Sequence, residues 1–284
     1  MCTIQLMSIP CLHLCSLRAL PGIFYRPFLL VHGTEVFEVV LSSVSPFAMA
    51  WKTIVGALSR ISAGSATNVW GVNAAGTVFR YTGDDGNPWV GIPGVVLTDI
   101  GAAADGTVWG VDANADGQIF RYTGNKGDPN HWVNIKGSLT RISVGSVSNV
   151  WGVNAVGNIF RYTGFDSNPW ASVPGTLSDI GAGADGTVWG VNSSGQIYRY
   201  TGDQGDPNHW VNIPGATLSA ISAGVRTNVW GVNASNAEAV YTYLNDDKNP
   251  WLKIDGSLAD IGTGADGVVW GVDTASAIYR WDRR

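Results

Sequence analysis

The stretch NVWGVNAAGTVFRYTG, residues 68–83, decides the fold, because near-copies of it return at residues 107–124, 149–164, 187–202, 228–245 and 268–283. In each copy a short run rich in β-branched and aromatic residues meets a turn of Gly, Asn, Asp or Ser and then a second such run. That is the pattern of two strands joined by a hairpin. Upstream of each copy a tryptophan opens the unit (Trp51, Trp89, Trp132, Trp170, Trp210, Trp251), and the hairpin tryptophan comes after it (Trp70, Trp109, Trp151, Trp189, Trp230, Trp270). The period is about 39 residues, the length of a propeller blade. Each unit reads as four short strands: WKTI, LSRISAG, NVWGVN and TVFRYTG in the first. A solenoid of similar period would show helices or polar end units, and neither is present, so closure into a ring is expected. The fold class expected is all-β, a six-bladed β-propeller of four-stranded antiparallel blades spanning residues 51–284. The strand at Trp51 should close the ring against the last unit near Tyr279 to Trp281. The strands that open on tryptophan are expected to line the central channel, their indoles serving as packing.

Composition agrees with a turn-dense β chain. Of 284 residues, 14% are charged, while 37 are glycine and 13 are tryptophan. The formal net charge of -5 and the pI near 5.2 offer no basic field to gather phosphates, so no nucleic acid partner is expected. No run approaches about 18 uninterrupted apolar residues, so no membrane insertion is expected either. Cys2, Cys11 and Cys15 precede the repeats, which therefore hold together without disulfides. Residues 1–50 carry no copy of the repeat. They fit a signal peptide poorly, because Arg18 and Arg26 interrupt the apolar stretch and Glu35 and Glu38 precede the only cleavage-like triplet, Ala48-Met49-Ala50. The expectation is an N-terminal extension outside the native fold, with Met49 as the native start. Cytoplasmic storage, with release or cell-surface association later, is the expected localisation.

The units alternate. The first, third and fifth carry SATNVWGVN, SVSNVWGVN and VRTNVWGVN; the second, fourth and sixth carry ADGTVWGVD, ADGTVWGVN and ADGVVWGVD. Loops mostly keep the same rhythm, with DPNHW entering the third and fifth units and NPW entering the second, fourth and sixth. Duplication of a two-blade ancestor explains this, and two kinds of site per ring are its functional consequence. The recurring W-x-x-I-x-G, V-W-G-V-[ND] and [IV]-[FY]-R-Y-T-G resemble the tectonin repeat of fungal, slime-mould and animal lectins over residues 51–284. The resemblance implies a glycan-binding propeller without enzymatic activity or cofactors. Its fungal members imply defence against bacteria and nematodes through O-methylated glycans, of which O-methylated mannose or fucose are the expected forms.

Counting back from the hairpin locates a candidate site. If Val72 opposes Val78, then Trp70 opposes Arg80, and the same count pairs Trp109 with Arg121, Trp151 with Arg161, Trp189 with Arg199 and Trp270 with Arg280. In the fifth unit Trp230 meets Thr242. Two readings apply to each pair: a seam filler with the guanidinium stacked on the indole, or a sugar platform. On the second reading the indole supplies a flat face, and the arginine with Asn73, Asp112, Asn154, Asn192 or Asp273 hydrogen-bonds the hydroxyls. Tyr81, Tyr122, Tyr162 and Tyr200 should face the other side of the blade, as core. Single contacts of this kind are weak, so several sites per ring, with homo-oligomers as a further multiplier, would act through avidity.

Other motifs carry less. Residues 112–117 imitate the start of a calcium loop, but Thr123 stands where the glutamate belongs. The ADG turns at Asp105 and Asp185 resemble Asp-boxes, yet Glu238 is the one glutamate after Glu38, and glycoside hydrolysis needs a placed carboxylic pair. His131 and His209 occupy equivalent loop positions with no nucleophile beside them, and Asn192 and Asn233 begin glycosylation sequons that matter only in a secreted chain. A propeller used as a protein-interaction scaffold is the rival function, since fold does not fix function. Near-identical blades favour a repeated small ligand instead.

Overall fold

The computed structural model describes residues 28–32, 35–39, 49–124, 131–202, 209–233 and 238–283. The chain divides into two units, Met1–Ala48 and Met49–Arg284. In the first, strand Phe28–His32 pairs antiparallel with Glu35–Val39. The second is the six-bladed β-propeller of four-stranded antiparallel blades, and no helix occurs among the described residues. No helix there is long and apolar enough to cross a membrane.

Blade 1 runs outward from the axis as Arg60–Ser65, Asn68–Val72, Val78–Tyr81 and Trp89–Ile92. The other blades repeat this order, so a blade and a sequence unit are offset by one strand. Blade 6 takes its outermost strand, Met49–Ile54, from the start of the propeller, and Trp51 faces Trp281 across that closing ladder. The closure at Tyr279 to Trp281 is as expected, although the strand begins two residues earlier than Trp51.

One expectation fails here. The strands opening on tryptophan are the outermost strands, and the channel is lined instead by Arg60–Ser65, Asp99–Ala102, Arg141–Ser146, Asp179–Ala182, Ala220–Val225 and Asp260–Thr263, each beside the next around the ring. Size is the reason. A Cβ on Gly64 would lie 2.1 Å from the Ala103 carbonyl carbon, and Gly145 and Gly224 meet the carbonyls of Gly183 and Gly264 at the same 2.1 Å. Only residues such as Ser62, Ala63 and Gly64 fit at that radius, and the gap left at the axis is about 10 Å³, the threshold for one water. Indoles fit at the rim. Trp89 Nε1 donates to the Val55 carbonyl at 2.9 Å and lies on Gly56, where a Cβ would be 2.8 Å from that nitrogen. Trp170 on Gly137 and Trp51 on Gly256 repeat the arrangement, which accounts for the glycine of W-x-x-I-x-G.

The core lies between blades rather than within them. In one cluster Trp70, Val72 and Val78 of blade 1 pack on Leu97, Ile100 and Val108 of blade 2. Polar latches across these seams alternate. From an even blade to the next odd one, Asp99, Asp179 and Asp260 accept the backbone N–H of Ile142, Ile221 and Ile61 at 2.8–2.9 Å. Asp105, Asp185 and Asp266 accept those of Val147, Arg226 and Ala66, each at 2.8 Å. From odd to even, serines take over: Ser62 and Ser143 accept the N–H of Ala102 and Ala182 at 3.0 and 2.8 Å. Asn68, Asn149 and Asn228 donate to the carbonyls of Ala103, Gly183 and Gly264 at 2.7–2.9 Å. The ring is thus three pairs of blades with two kinds of seam, in agreement with the alternation of the sequence.

Candidate functional site

Every pairing counted from the hairpins is present: Trp70 with Arg80, Trp109 with Arg121, Trp151 with Arg161, Trp189 with Arg199, Trp270 with Arg280, and Trp230 with Thr242. Each of the five guanidiniums lies over its indole, 5.4 to 5.9 Å from the ring centroid. The indoles themselves are 0–1% exposed, so none offers the flat face a sugar would stack on. They are walled in by the next blade: Trp70 by Tyr122 and Trp132, Trp109 by Tyr162 and Trp170, Trp270 by Tyr81 and Trp89. Tyr81 and Tyr162 are buried, as expected, while Tyr122 and Tyr200 are half-buried, and all four face the opposite seam from the adjacent arginine.

The Asn and Asp residues expected to meet sugar hydroxyls lie in the hairpin turns. Asn73, Asn154, Asn192 and Asp273 turn their side-chain oxygens onto backbone N–H groups of their own hairpins, Asn73 accepting from Ala75 and Thr77 at 3.0 and 2.9 Å. Asp112 does the same for Asn114, which makes the segment that imitates a calcium loop a turn. These five side chains serve the turns of their own hairpins. The asparagine that does meet an indole stands two residues before it: Asn68, Asn149 and Asn228 accept from Trp70, Trp151 and Trp230 Nε1 at 2.7–2.9 Å. In the even blades Trp109, Trp189 and Trp270 Nε1 are buried without a partner among the described residues.

The arginines divide into two groups. In the even blades each is closed by a carboxylate from the loop of the next blade. Arg121 grips Asp166 with two bonds of 2.8 Å and touches Tyr162 Oη at 3.2 Å, while that hydroxyl donates to Asp166 at 2.5 Å. Arg199 holds Asp247 and Tyr243 in the same way. Arg280 holds Asp85 and Tyr81, with Lys52 and Asp282 added. Their hydrogen bonds, first from Arg121 and Arg199, hold the Asp166 and Asp247 carboxyls below the ordinary range, and the Lys52 ammonium does most for Asp85. Burial, ahead of the neighbouring carboxylate, raises Tyr81, Tyr162 and Tyr243.

In odd blades 1 and 3 the same indole, arginine and tyrosine recur, and among the described residues no carboxylate meets the arginine. Arg80 and Arg161 are exposed, 5.9 and 5.8 Å from their indoles, and neither guanidinium has an ion pair or hydrogen bond among the described residues. His131 and His209 lie against Tyr122 and Tyr200 with centroids 6.2 Å apart. At the seam of blades 3 and 4 the result is a cleft of about 200 Å³ lined by Ser146, Ser148, Asn149, Trp151, Arg161, Ala184, Gly186 and Tyr200. Blade 5 has no arginine opposite its indole: Thr242 donates to the Val229 carbonyl at 3.4 Å and Trp281 takes the tyrosine place. Among the described residues no group of three or more His, Cys, Asp or Glu is placed to hold a metal.

The sequence matches the Tectonin domain over residues 32–169 and 165–284. The chain belongs to the tectonin-domain family. Tectonin-1 of Physarum polycephalum is 38% identical over 65 residues, a match that covers 22% of this chain and 28% of that protein. Among solved structures, a protein of unknown function from Bacteroides thetaiotaomicron shares the fold with a TM-score of 0.64 at 12% identity, over 89% of this chain and 79% of that one. YCF48 bound to D1 peptide shares it at 0.51 and 15%, over 85% and 86% of the two chains. Within this tectonin propeller the clamping aspartates and the three seam asparagines are what reading the sequence missed. A signal existed: Asp85, Asp166 and Asp247 each stand four residues after the tyrosine in the shorter NPW loops.

Proposed function

We propose that the chain is a non-enzymatic lectin whose saccharide sites are the open seams between blades 1 and 2 and between blades 3 and 4. The alternation of the seams supports this reading. Three arginines are consumed by the fold's own carboxylates, whereas Arg80 and Arg161 present their donors outward. The cleft beside Arg161, about 200 Å³, is smaller than the roughly 300–1,000 Å³ of drug-sized pockets and rich in hydroxyl and amide groups, which suits one sugar unit. In this reading the buried indole orients the guanidinium, and the hydroxyls of the sugar meet Arg161, Ser146 and Ser148.

The finer reading is recognition of O-methylated glycans of bacteria or nematodes, by a chain stored in the cytoplasm and released. A buried methyl contributes about 0.8 kcal/mol, a fourfold preference, so selectivity also needs the penalty of stranding a free hydroxyl against an apolar wall. Ala184 and the Tyr200 ring are the walls suited to that task. Two like sites on one ring would multiply a weak contact against a repetitive surface, and self-association would multiply it again. A glycan array containing O-methylated and unmethylated pairs tests the reading, with Arg80→Ala/Arg161→Ala as the control. Binding of the wild type and its loss in the double variant is the expected result. Silence on every glycan would hand the chain to the scaffold reading, for which the peptide-bound YCF48 propeller is a fold precedent.

A further inference from the structure

We infer that the axial end of the seam between blades 4 and 5 is a proton-operated latch, which holds in acid and loosens as the pH rises toward neutrality. Around the axis the inner strands of blades 1 to 6 start on Arg60, Asp99, Arg141, Asp179, Ala220 and Asp260. Each aspartate reaches across an even-to-odd seam and accepts one backbone N–H there: Asp260 from Ile61, Asp99 from Ile142 and Asp179 from Ile221, at 2.8–2.9 Å. The residue just before that N–H is Arg60 for Asp260 and Arg141 for Asp99, but Ala220 for Asp179. Arg60 lies 3.4 Å from Asp260, whereas Asp179 has only Arg141 of the preceding blade, with its Nε at 3.6 Å.

Among the described residues this ring holds three carboxylates and two guanidiniums, and the Asp179 side chain is only 15% exposed. The strands packed on Asp179–Ala182 bring no further charge: Ala220–Val225, Val188–Val191 and Asn149–Val153 carry none, and Arg141–Ser146 carries Arg141 alone. Asp99 and Asp260 face Asp179 as like charges, with Arg60 beyond Asp260. Residues 234–237, Ala-Ser-Asn-Ala, are uncharged, and the loops at 125–130 and 203–208 leave from the other end of their blades, past the Tyr122–Trp132 and Tyr200–Trp210 pairs. A carboxylate shut from water without its own counter-charge holds a proton, and burial, ahead of the pull of Arg141, pushes Asp179 up to about 7. Protonated, it sits neutral in the seam and accepts from Ile221. Once ionised, it sets an uncancelled charge beside Ala220, and the state in which water reaches it gains weight. A solvated carboxyl titrates near 3.9, so opening gains about tenfold per pH unit between that value and about 7, and nothing more above it.

Amide hydrogen exchange on the full chain, corrected for the intrinsic effect of pH on exchange, tests the latch. The readout is strand Ala220–Val225, and the internal reference is Arg60–Ser65, the equivalent strand whose aspartate has an arginine of its own seam. From pH 5 to pH 7 the opening constant over 220–225 is expected to rise by up to about 100-fold while that over 60–65 stays level. Asp179→Asn keeps an acceptor for Ile221 but cannot ionise, and should remove the response; Ala220→Arg, which supplies the counter-charge, should reduce it. An equal response in both strands would mean that pH acts on the ring as a whole, and a response that survives Asp179→Asn would mean that another group carries it. Either result overturns the latch.

Discussion

Asp179 shows how burial sets a titration at the inner ring. The inner strands begin in turn on Arg60, Asp99, Arg141, Asp179, Ala220 and Asp260, a ring of alternating charge broken at Ala220. Asp260 meets Arg60 at 3.4 Å, and Asp179 has Arg141 at 3.6 Å but only a methyl beside the Ile221 N–H it accepts. Burial pushes the Asp179 carboxyl up to about 7. Because the folded value lies above the unfolded one of about 3.9, the native state holds this proton more tightly, and stability falls as pH rises through the interval between the two. Ala220→Arg should pair the carboxylate and flatten that slope, measured as urea midpoints from pH 5 to 8. The clamping Asp85, Asp166 and Asp247 have the opposite sign: their folded values are lowered, so their contribution is lost only as pH falls below the usual carboxylate range. A second prediction concerns Trp151 and Arg161. Trp151→Ala empties a buried site and should cost about 3–5 kcal/mol, whereas Arg161→Ala removes an exposed cation–π contact and should cost about 1 kcal/mol or less, by thermal melts. The arginine is therefore the clean probe of binding. The register of this pair was legible because a hairpin fixes it locally. Burial of the indole was not, since the covering Tyr200 and Trp210 come from the next blade.

At the scale of the strand, the decisive property is thickness. Gly64→Ala forces a methyl against the Ala103 carbonyl, backbone that has no room to yield, and should cost about 3 kcal/mol or more in urea unfolding. Gly91→Ala, where nothing lies within 4 Å, is the control and should be near neutral. The identity of each strand was plain from its run of β-branched and aromatic residues. Its place in the blade was not. A strand opening on Trp89 is joined by short loops to its neighbours on both sides in the chain, and only the volume of its indole against that of Ser62 or Gly64 says which end belongs at the axis. The NPW and DPNHW loops posed a similar problem: their alternation was visible, but that Asp166 reaches back to an arginine 45 residues earlier is a property of ring closure.

For the whole molecule, the family and the ring were readable from six-fold repetition, which records the same packing problem solved six times. We propose Met49 as the native start. A chain beginning there should melt with the full-length protein, whereas one beginning at Gly56 lacks the strand that covers Ile278–Arg283 and should lose its cooperative transition, as seen by calorimetry. Mass spectrometry of the native N-terminus checks the first part, and peptides from residues 1–48 would reject it. The one-strand offset between unit and blade also bears on how such a ring can come into being from fragments. A two-unit piece, residues 51–131, would carry one edge strand with no partner of its own and one sheet lacking an edge. Such a piece is self-complementary head to tail and closes only when three copies meet, so light scattering should find a trimer where a unit cut along the blade would have stayed single.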